Sequence, residues 1–214
     1  MILKAIAIAL LSLAAMFSTN IEASPKQTVV IAHGYFTGTQ IEKPDLSSII
    51  TELESLGYKV YYPALSNDLM VAPYQIRDAV TQAYKDSPGV KPHLFGISLG
   101  GVSSLYYAKI LGGYPYIASI TMIDSPLYGE DIDGCPPWVH YCSNSWFMAQ
   151  LHYGSDTPRL FGKPMYKQII ATEGKFTKLL DGSPCVVKFP GEHLDIASQP
   201  GFRDEILQSL SGVC

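Results

Sequence analysis

A serine hydroxyl attacks a carbonyl well only when its backbone holds it proud of its surroundings and a base stands beside it. The segment Gly96-Ile97-Ser98-Leu99-Gly100 meets the first condition. It follows a short apolar run, Pro92 to Phe95, and precedes a helix-like stretch, Gly101 to Leu111. Folded as strand, sharp turn and helix, it makes a strained elbow with Ser98 at the apex. Glycine is required two residues either side, because a Cβ there would collide with the neighbouring strand or helix. Outside that context the pentapeptide would be no more than a Gly/Ser turn.

A base is expected near the C-terminus. Cys185 to Phe189 reads as a last strand, and Pro190-Gly191-Glu192-His193-Leu194-Asp195 follows it. His193 therefore sits in a loop at the carboxyl end of a strand, where chemistry collects in open α/β sheets. His93 begins the strand that carries Ser98, at the wrong end of the sheet, and His140 and His152 lie in an irregular stretch. The acid has three candidates. Asp124 closes the apolar run Ile117 to Ile123, Glu173 follows the run Met165 to Ala171, and Asp156 lies in Gly154-Ser155-Asp156-Thr157. Asp124 could equally serve as a cap on the turn before Pro126.

These residues need a scaffold of alternating strands and helices. Residues 27–33 read as strand, Asp45 to Leu56 as helix, Lys59 to Tyr62 as strand and Tyr74 to Tyr84 as helix. The strand to Phe95, the helix from Gly101 and the strand to Ile123 come next. A strand over Met165–Ala171, a short helix near Phe176, a strand over Cys185–Phe189 and a helix over Phe202–Leu210 complete the chain. Repeated β–α units predict an α/β fold with a mostly parallel sheet, flanked by helices and joined by right-handed crossovers.

With its elbow serine, late histidine and order Ser…Asp…His, the chain resembles the α/β-hydrolases. It is similar in detail to the thioesterase domains that release products from polyketide and peptide synthases. There the acid ends the strand after the elbow helix, as in Ile123-Asp124-Ser125, and the histidine lies in a loop like Gly191-Glu192-His193. The resemblance covers about residues 27 to 211. It favours Asp124 as the acid. The opening Thr28-Val29-Val30-Ile31-Ala32-His33-Gly34-Tyr35 is more similar to small secreted lipases and esterases. It implies an oxyanion hole built from the backbone N–H groups of Tyr35 and Leu99. His33 comes too early in the chain to be the base, and is expected to hold its loop by hydrogen bonds.

Between Ser125 and about Pro164 (residues 125–164) lies an insertion rich in large apolar side chains, among them Trp138, Tyr141, Trp146, Phe147, Met148, Tyr153 and Phe161. So long and apolar a loop is expected to do more than meet water. It reads as a cap that binds an acyl group, or as a satellite core that packs the insertion onto the sheet.

Residues 1–23 read as a signal peptide: Lys4 supplies the charge, Ala5 to Phe17 the apolar core and Ile21-Glu22-Ala23 the cleavage site. That leaves 24–214 as one domain. Four cysteines downstream fit a secreted or periplasmic protein. Three pairings are possible; the economical one joins Cys135 to Cys142 across a short loop and leaves Cys185 with Cys214. The C-x6-C spacing is not a metal pattern, so neither a metal nor another cofactor is expected. Apolar residues make up 47% of 214, which suits a buried parallel sheet. The net charge is −4, with no basic stripe, which excludes the usual footprint of a nucleic-acid binder. The expected partner is a small acyl ester or lipid, with no stable membrane span once the signal is removed. The expected reaction is hydrolysis of carboxylic esters by Ser98, His193 and Asp124. Thioester cleavage, acyl transfer and a non-catalytic binding role on the same fold are the alternatives.

Overall fold

In the computed structural model, residues 27–34, 43–154, 165–181, 185–193 and 195–212 are described. The signal segment, Tyr35, Asp156, Phe161 and Cys214 lie outside them. Strands β1 (Thr28–Ala32), β2 (Lys59–Tyr61), β3 (His93–Ile97), β4 (Ser119–Ile123), β5 (Met165–Ala171) and β6 (Cys185–Phe189) form one sheet. Their order is β2-β1-β3-β4-β5-β6, with every neighbouring pair parallel.

The strands read as continuous apolar runs because both faces of the sheet are covered. Successive residues alternate between two cores. Val30, Ala32, Leu94, Ile120, Met122 and Tyr166 pack with helices α2 (Ala72–Asp86) and α3 (Leu99–Lys109) on one face. Val29, Ile31, Phe95, Ile123 and Ile169 pack on the other, with α1 (Lys43–Ser55) and the C-terminal helix Phe202–Leu210. Helix α1 contributes Ile49, Ile50 and Leu53; the C-terminal helix contributes Phe202, Ile206 and Leu210. On that second face Lys167 of β5 is fully buried and ion-paired with Glu205. A buried lysine left without its carboxylate would be costly, so the pair ties this helix to its place under β5.

From β1 the chain leaves for β2 on one side, whereas β3 leads to β4 on the other. The carboxyl ends of β1 and β3 therefore flank a switch point, the usual place for a ligand crevice in such a sheet. Helix α3 starts there and is buried from Leu99 through Ala108. A helix apolar all round belongs inside a structure, and this one is enclosed by the sheet, α2 and the insertion.

The insertion contains more order than its sequence suggests. Trp146–Leu151 forms helix α4, and the Ser145 hydroxyl caps it by accepting the Met148 N–H at 3.2 Å. Phe147 stacks on Tyr106 of α3 with centroids 4.6 Å apart, and the Tyr106 hydroxyl donates to Gln150 at 3.0 Å. Phe147, Met148 and Leu151 are buried in the α2/α3 core. Trp138 and Tyr153 point outward, 72% and 86% exposed. The C-terminal helix is hereafter α5.

One expected element is absent. Residues 176–180 form no helix. The Leu180 N–H donates instead to the buried side-chain oxygen of Gln168 at 2.8 Å, and Leu180 itself enters the core. A buried amide side chain must find a partner, and here it takes a backbone group that a helix would have used.

Cys135 and Cys142 are joined by a disulfide. Cys185 is also disulfide-bonded. Among the described residues no helix is long and apolar enough to cross a membrane.

Candidate active site

Ser98 follows β3 directly, with φ at 54°, a positive value rare for any residue but glycine. Its N–H donates to Ile123 O at 2.9 Å and its carbonyl accepts the Gly101 N–H at 3.0 Å, so the turn is pinned to β4 on one side and α3 on the other. The two glycines of the elbow answer two different crowdings. A Cβ on Gly96 would lie 2.5 Å from Gly101 Cα, and one on Gly100 would lie 2.1 Å from Ala32 O. The first glycine lets the helix approach β3, and the second lets it approach β1.

Asp124 follows β4 in the same way, with φ at 39°. Its N–H donates to Ile169 O at 2.6 Å. Its Oδ1 accepts the Ala171 N–H at 2.9 Å, and its Oδ2 lies 2.5 Å from His193 Nδ1. The carboxylate is fully buried. His193 stands in the turn after β6, and its Nε2 is 3.1 Å from Ser98 Oγ. Nδ1 donating to the carboxylate leaves Nε2 free to accept a proton from the serine. Three strand ends, those of β3, β4 and β6, thus meet in one chain of hydrogen bonds.

The other acid candidates are not brought there. Glu173 is exposed, and its backbone N–H, not its carboxylate, meets the His193 loop by donating to Gly191 O at 3.1 Å. Asp156 lies outside the described residues. The remaining histidines are spent elsewhere. His93 sits at the start of β3, 2.8 Å from Ser119 Oγ, and burial pushes its pKa down to about 4. His140 Nδ1 is 3.5 Å from Asp68, and His152 Nε2 donates to Leu127 O at 2.7 Å.

His33 braces the loop after β1. Its Nε2 accepts the Leu65 N–H at 3.0 Å, so the proton sits on Nδ1, which donates to Gly34 O at 2.8 Å. Burial lowers its pKa, in keeping with a neutral ring. Gly34 comes very close to the elbow: a Cβ on it would stand 2.7 Å from Ser98 Cβ. Leu99 is the first residue of α3, where an N–H has no intrahelical acceptor and the helix dipole favours negative charge. Tyr35, the other expected donor, lies outside the described residues.

Phe176 was not foreseen. Its ring meets His193 edge-on at 5.0 Å between centroids and 87° between planes. No spacing in the sequence marks it, because the contact depends on how the segment after β5 crosses the mouth of β6. Among the described residues no cluster of three or more His, Cys, Asp or Glu side chains could hold a metal ion.

No protein-family model matches the chain. No curated protein matches it in sequence either. Solved structures do. Est1E from Butyrivibrio proteoclasticus, with ferulic acid bound, is 12% identical with a TM-score of 0.59, over 90% of this chain and 92% of that one. A dienelactone hydrolase from Anabaena variabilis is 16% identical at TM-score 0.54, over 87% and 84% of the two chains. An α/β serine hydrolase without a lid from Xanthomonas campestris is 14% identical at TM-score 0.54, over 89% and 85%. At such identities the likeness is one of architecture: the chain has the α/β-hydrolase fold.

Proposed function

We propose that this protein is an exported serine hydrolase that cleaves carboxylic esters through an acyl-enzyme. The observation that carries the reading is His193, set between Ser98 Oγ at 3.1 Å and the buried Asp124 carboxylate at 2.5 Å. That is the relation of nucleophile, base and orienting acid required for acyl transfer.

In the proposed cycle Ser98 Oγ bonds to the ester carbonyl carbon while its proton passes to His193 Nε2. The carbonyl π electrons move onto oxygen, which the N–H groups of Leu99 and Tyr35 receive. Donors aimed at such an oxyanion are worth roughly 10²–10³ each in rate. The tetrahedral species collapses, the C–O bond to the alcohol breaks, and the His193 proton leaves with the alcohol. Water then attacks the acyl-serine, giving its proton to His193, which returns it to Ser98 as the acid departs. Asp124 holds the imidazole in the tautomer that accepts at Nε2 and stabilises the imidazolium formed twice per turnover.

The segment 1–23, with its charged start and apolar core, supports export of residues 24–214. Export favours esters over thioesters of acyl carriers or coenzyme A, which belong to the cytoplasm. The acid at the end of β4 is the feature that keeps thioester cleavage as the second reading, by the same steps.

A fluorophosphonate probe should label the wild-type protein at Ser98 and leave Ser98→Ala unlabelled. The same substitution should lower turnover of p-nitrophenyl esters by ~10⁶-fold. Labelling that persists in the alanine variant would overturn the assignment.

A further inference from the structure

A cleft of about 430 Å3 lies near the Asp124–His193 end of the site, its lining made by neighbours of those residues and by none of Ser98, Asp124 and His193 themselves. Two of its lining residues touch the site's surroundings directly. Ser125 follows Asp124 and packs against α3, its Oγ standing 2.0 Å from where a Cβ on Gly101 would be. Phe176 lies edge-on against His193. The rest of its lining comes from the insertion and from the segment after β5.

The side chains that line it are of an unexpected kind for an acyl-chain site. Glu130 and Asp131 come from the insertion arm; Lys175 and Lys178 come from the segment after β5. Lys178 stands over the Tyr128 ring, 4.0 Å from its centroid. Of the insertion's large apolar side chains, Phe147, Met148 and Leu151 enter the core and Trp138 and Tyr153 face solvent, while Leu127, Tyr128 and Ile132 form apolar walls of the cleft.

Those four charges decide what fits. A long alkyl or acyl chain laid here would crowd the half-buried Glu130 carboxylate and run beside the exposed Asp131, Lys175 and Lys178 without returning a hydrogen bond to any of them, which is unfavourable. An anion would meet Glu130 and Asp131, and a cation would meet Lys175 and Lys178. The charges sum to zero, and together they offer both donors and acceptors. A hydroxyl group is a donor and an acceptor at once, so a neutral polyol can be satisfied by both kinds of side chain. A mostly polar cleft with a few aromatic and aliphatic walls gives its C–H faces something to pack on.

We infer that this cleft holds the polyhydroxylated half of the substrate, so that the ester cleaved is an acyl ester of a sugar or similar polyol. The inference rests on the hydrolase reading above and names the substrate of that same site.

The test compares two acetates of similar size, 6-O-acetylglucose and n-hexyl acetate, which share the acyl group and differ in the alcohol. The exported protein should show kcat/KM at least tenfold higher for the acetylated sugar. E130Q/D131N, checked by its melting curve, should reduce that ratio at least tenfold, and K175Q should reduce it as well. An enzyme that turns over both esters without preference, or prefers the hexyl ester, overturns the polyol assignment and leaves the hydrolase reading standing. Absence of Ser98-dependent hydrolysis of p-nitrophenyl acetate overturns the hydrolase reading, and the polyol assignment falls with it.

Discussion

Asp124 reaches across from the end of β4 to the end of β5, where its Oδ1 accepts the Ala171 N–H at 2.9 Å. The neighbouring strand thereby holds one oxygen of the carboxylate, and the other is left to face His193 Nδ1 at 2.5 Å. A positive φ of 39° at this aspartate is a conformation that persists only when its surroundings impose it. An acid placed after β4 can thus serve a histidine placed after β6 because β5, lying between them, supplies the anchor.

The acid is tested by a pair of substitutions. Asp124→Asn keeps a hydrogen-bonding group at each position but presents the wrong one to the imidazole N–H. It should lower kcat by ~10⁴ with the fold retained. Glu173→Gln, altering an exposed carboxylate, should change kcat by less than about tenfold. Steady-state kinetics with melting curves for both variants would decide; the reverse pattern would move the acid to the later strand.

Two glycines near the elbow should fail differently when changed to alanine. On Gly100 the new methyl would lie 2.1 Å from Ala32 O, a backbone atom that cannot yield, so Gly100→Ala should lower the melting temperature sharply or prevent folding. On Gly34 it would press on the Ser98 side chain at 2.7 Å. Gly34→Ala should therefore displace the Ser98 hydroxyl and, on the proposed mechanism, lower kcat by more than ~10² while costing less stability than Gly100→Ala.

Acid should weaken the fold through His93. Burial holds its folded-state pKa at about 4, below the ordinary 6.5. Between those values the unfolded chain binds a proton that the folded chain refuses, so stability is complete above pH 6.5 and falls as pH drops towards 4. Between pH 7.5 and 5 the loss from this one group should be about 2 kcal/mol. His33, also depressed by burial, acts in the same direction. Urea midpoints at the two pH values should move less in His93→Gln than in the wild type; equal movement would rule out this source.

Peptide mapping of the protein made in an oxidising compartment, under non-reducing conditions, should recover Cys135 linked to Cys142 and Cys185 linked to Cys214. On the chain-entropy model the shorter loop stabilises by ~2–3 kcal/mol and the longer by ~3–4 kcal/mol. Cys185→Ser should therefore cost more in thermal stability than Cys135→Ser. A Cys135–Cys185 link would reject the pairing.

What the sequence determined by itself is local. The elbow is legible because strand, glycine, serine, glycine and helix are consecutive, and because the close approach of the helix to the strands leaves no room for a Cβ at either glycine. The alternation of apolar runs with helical periodicity is equally local, and it yields the parallel α/β sheet, with most elements near their observed bounds. His193 is legible for the same reason, as a histidine in the loop that ends the last strand. The tertiary structure decided whatever depends on residues far apart in the chain. Asp124 and Glu173 each follow a strand, and nothing in either neighbourhood tells which carboxylate will stand beside an imidazole 69 or 20 positions later. That is settled by strand order and by the amide of Ala171. The insertion's aromatic residues advertise burial but not against what; packing on α3 took Phe147 and Met148 and left Trp138 outside. Gln168 and Leu180 form a buried bond that replaces an expected helix, and Phe176 meets His193 through the same path of chain. Pattern reports which side chains seek burial or hydrogen bonds, whereas the partner each one finds is fixed only when distant segments close on the same volume.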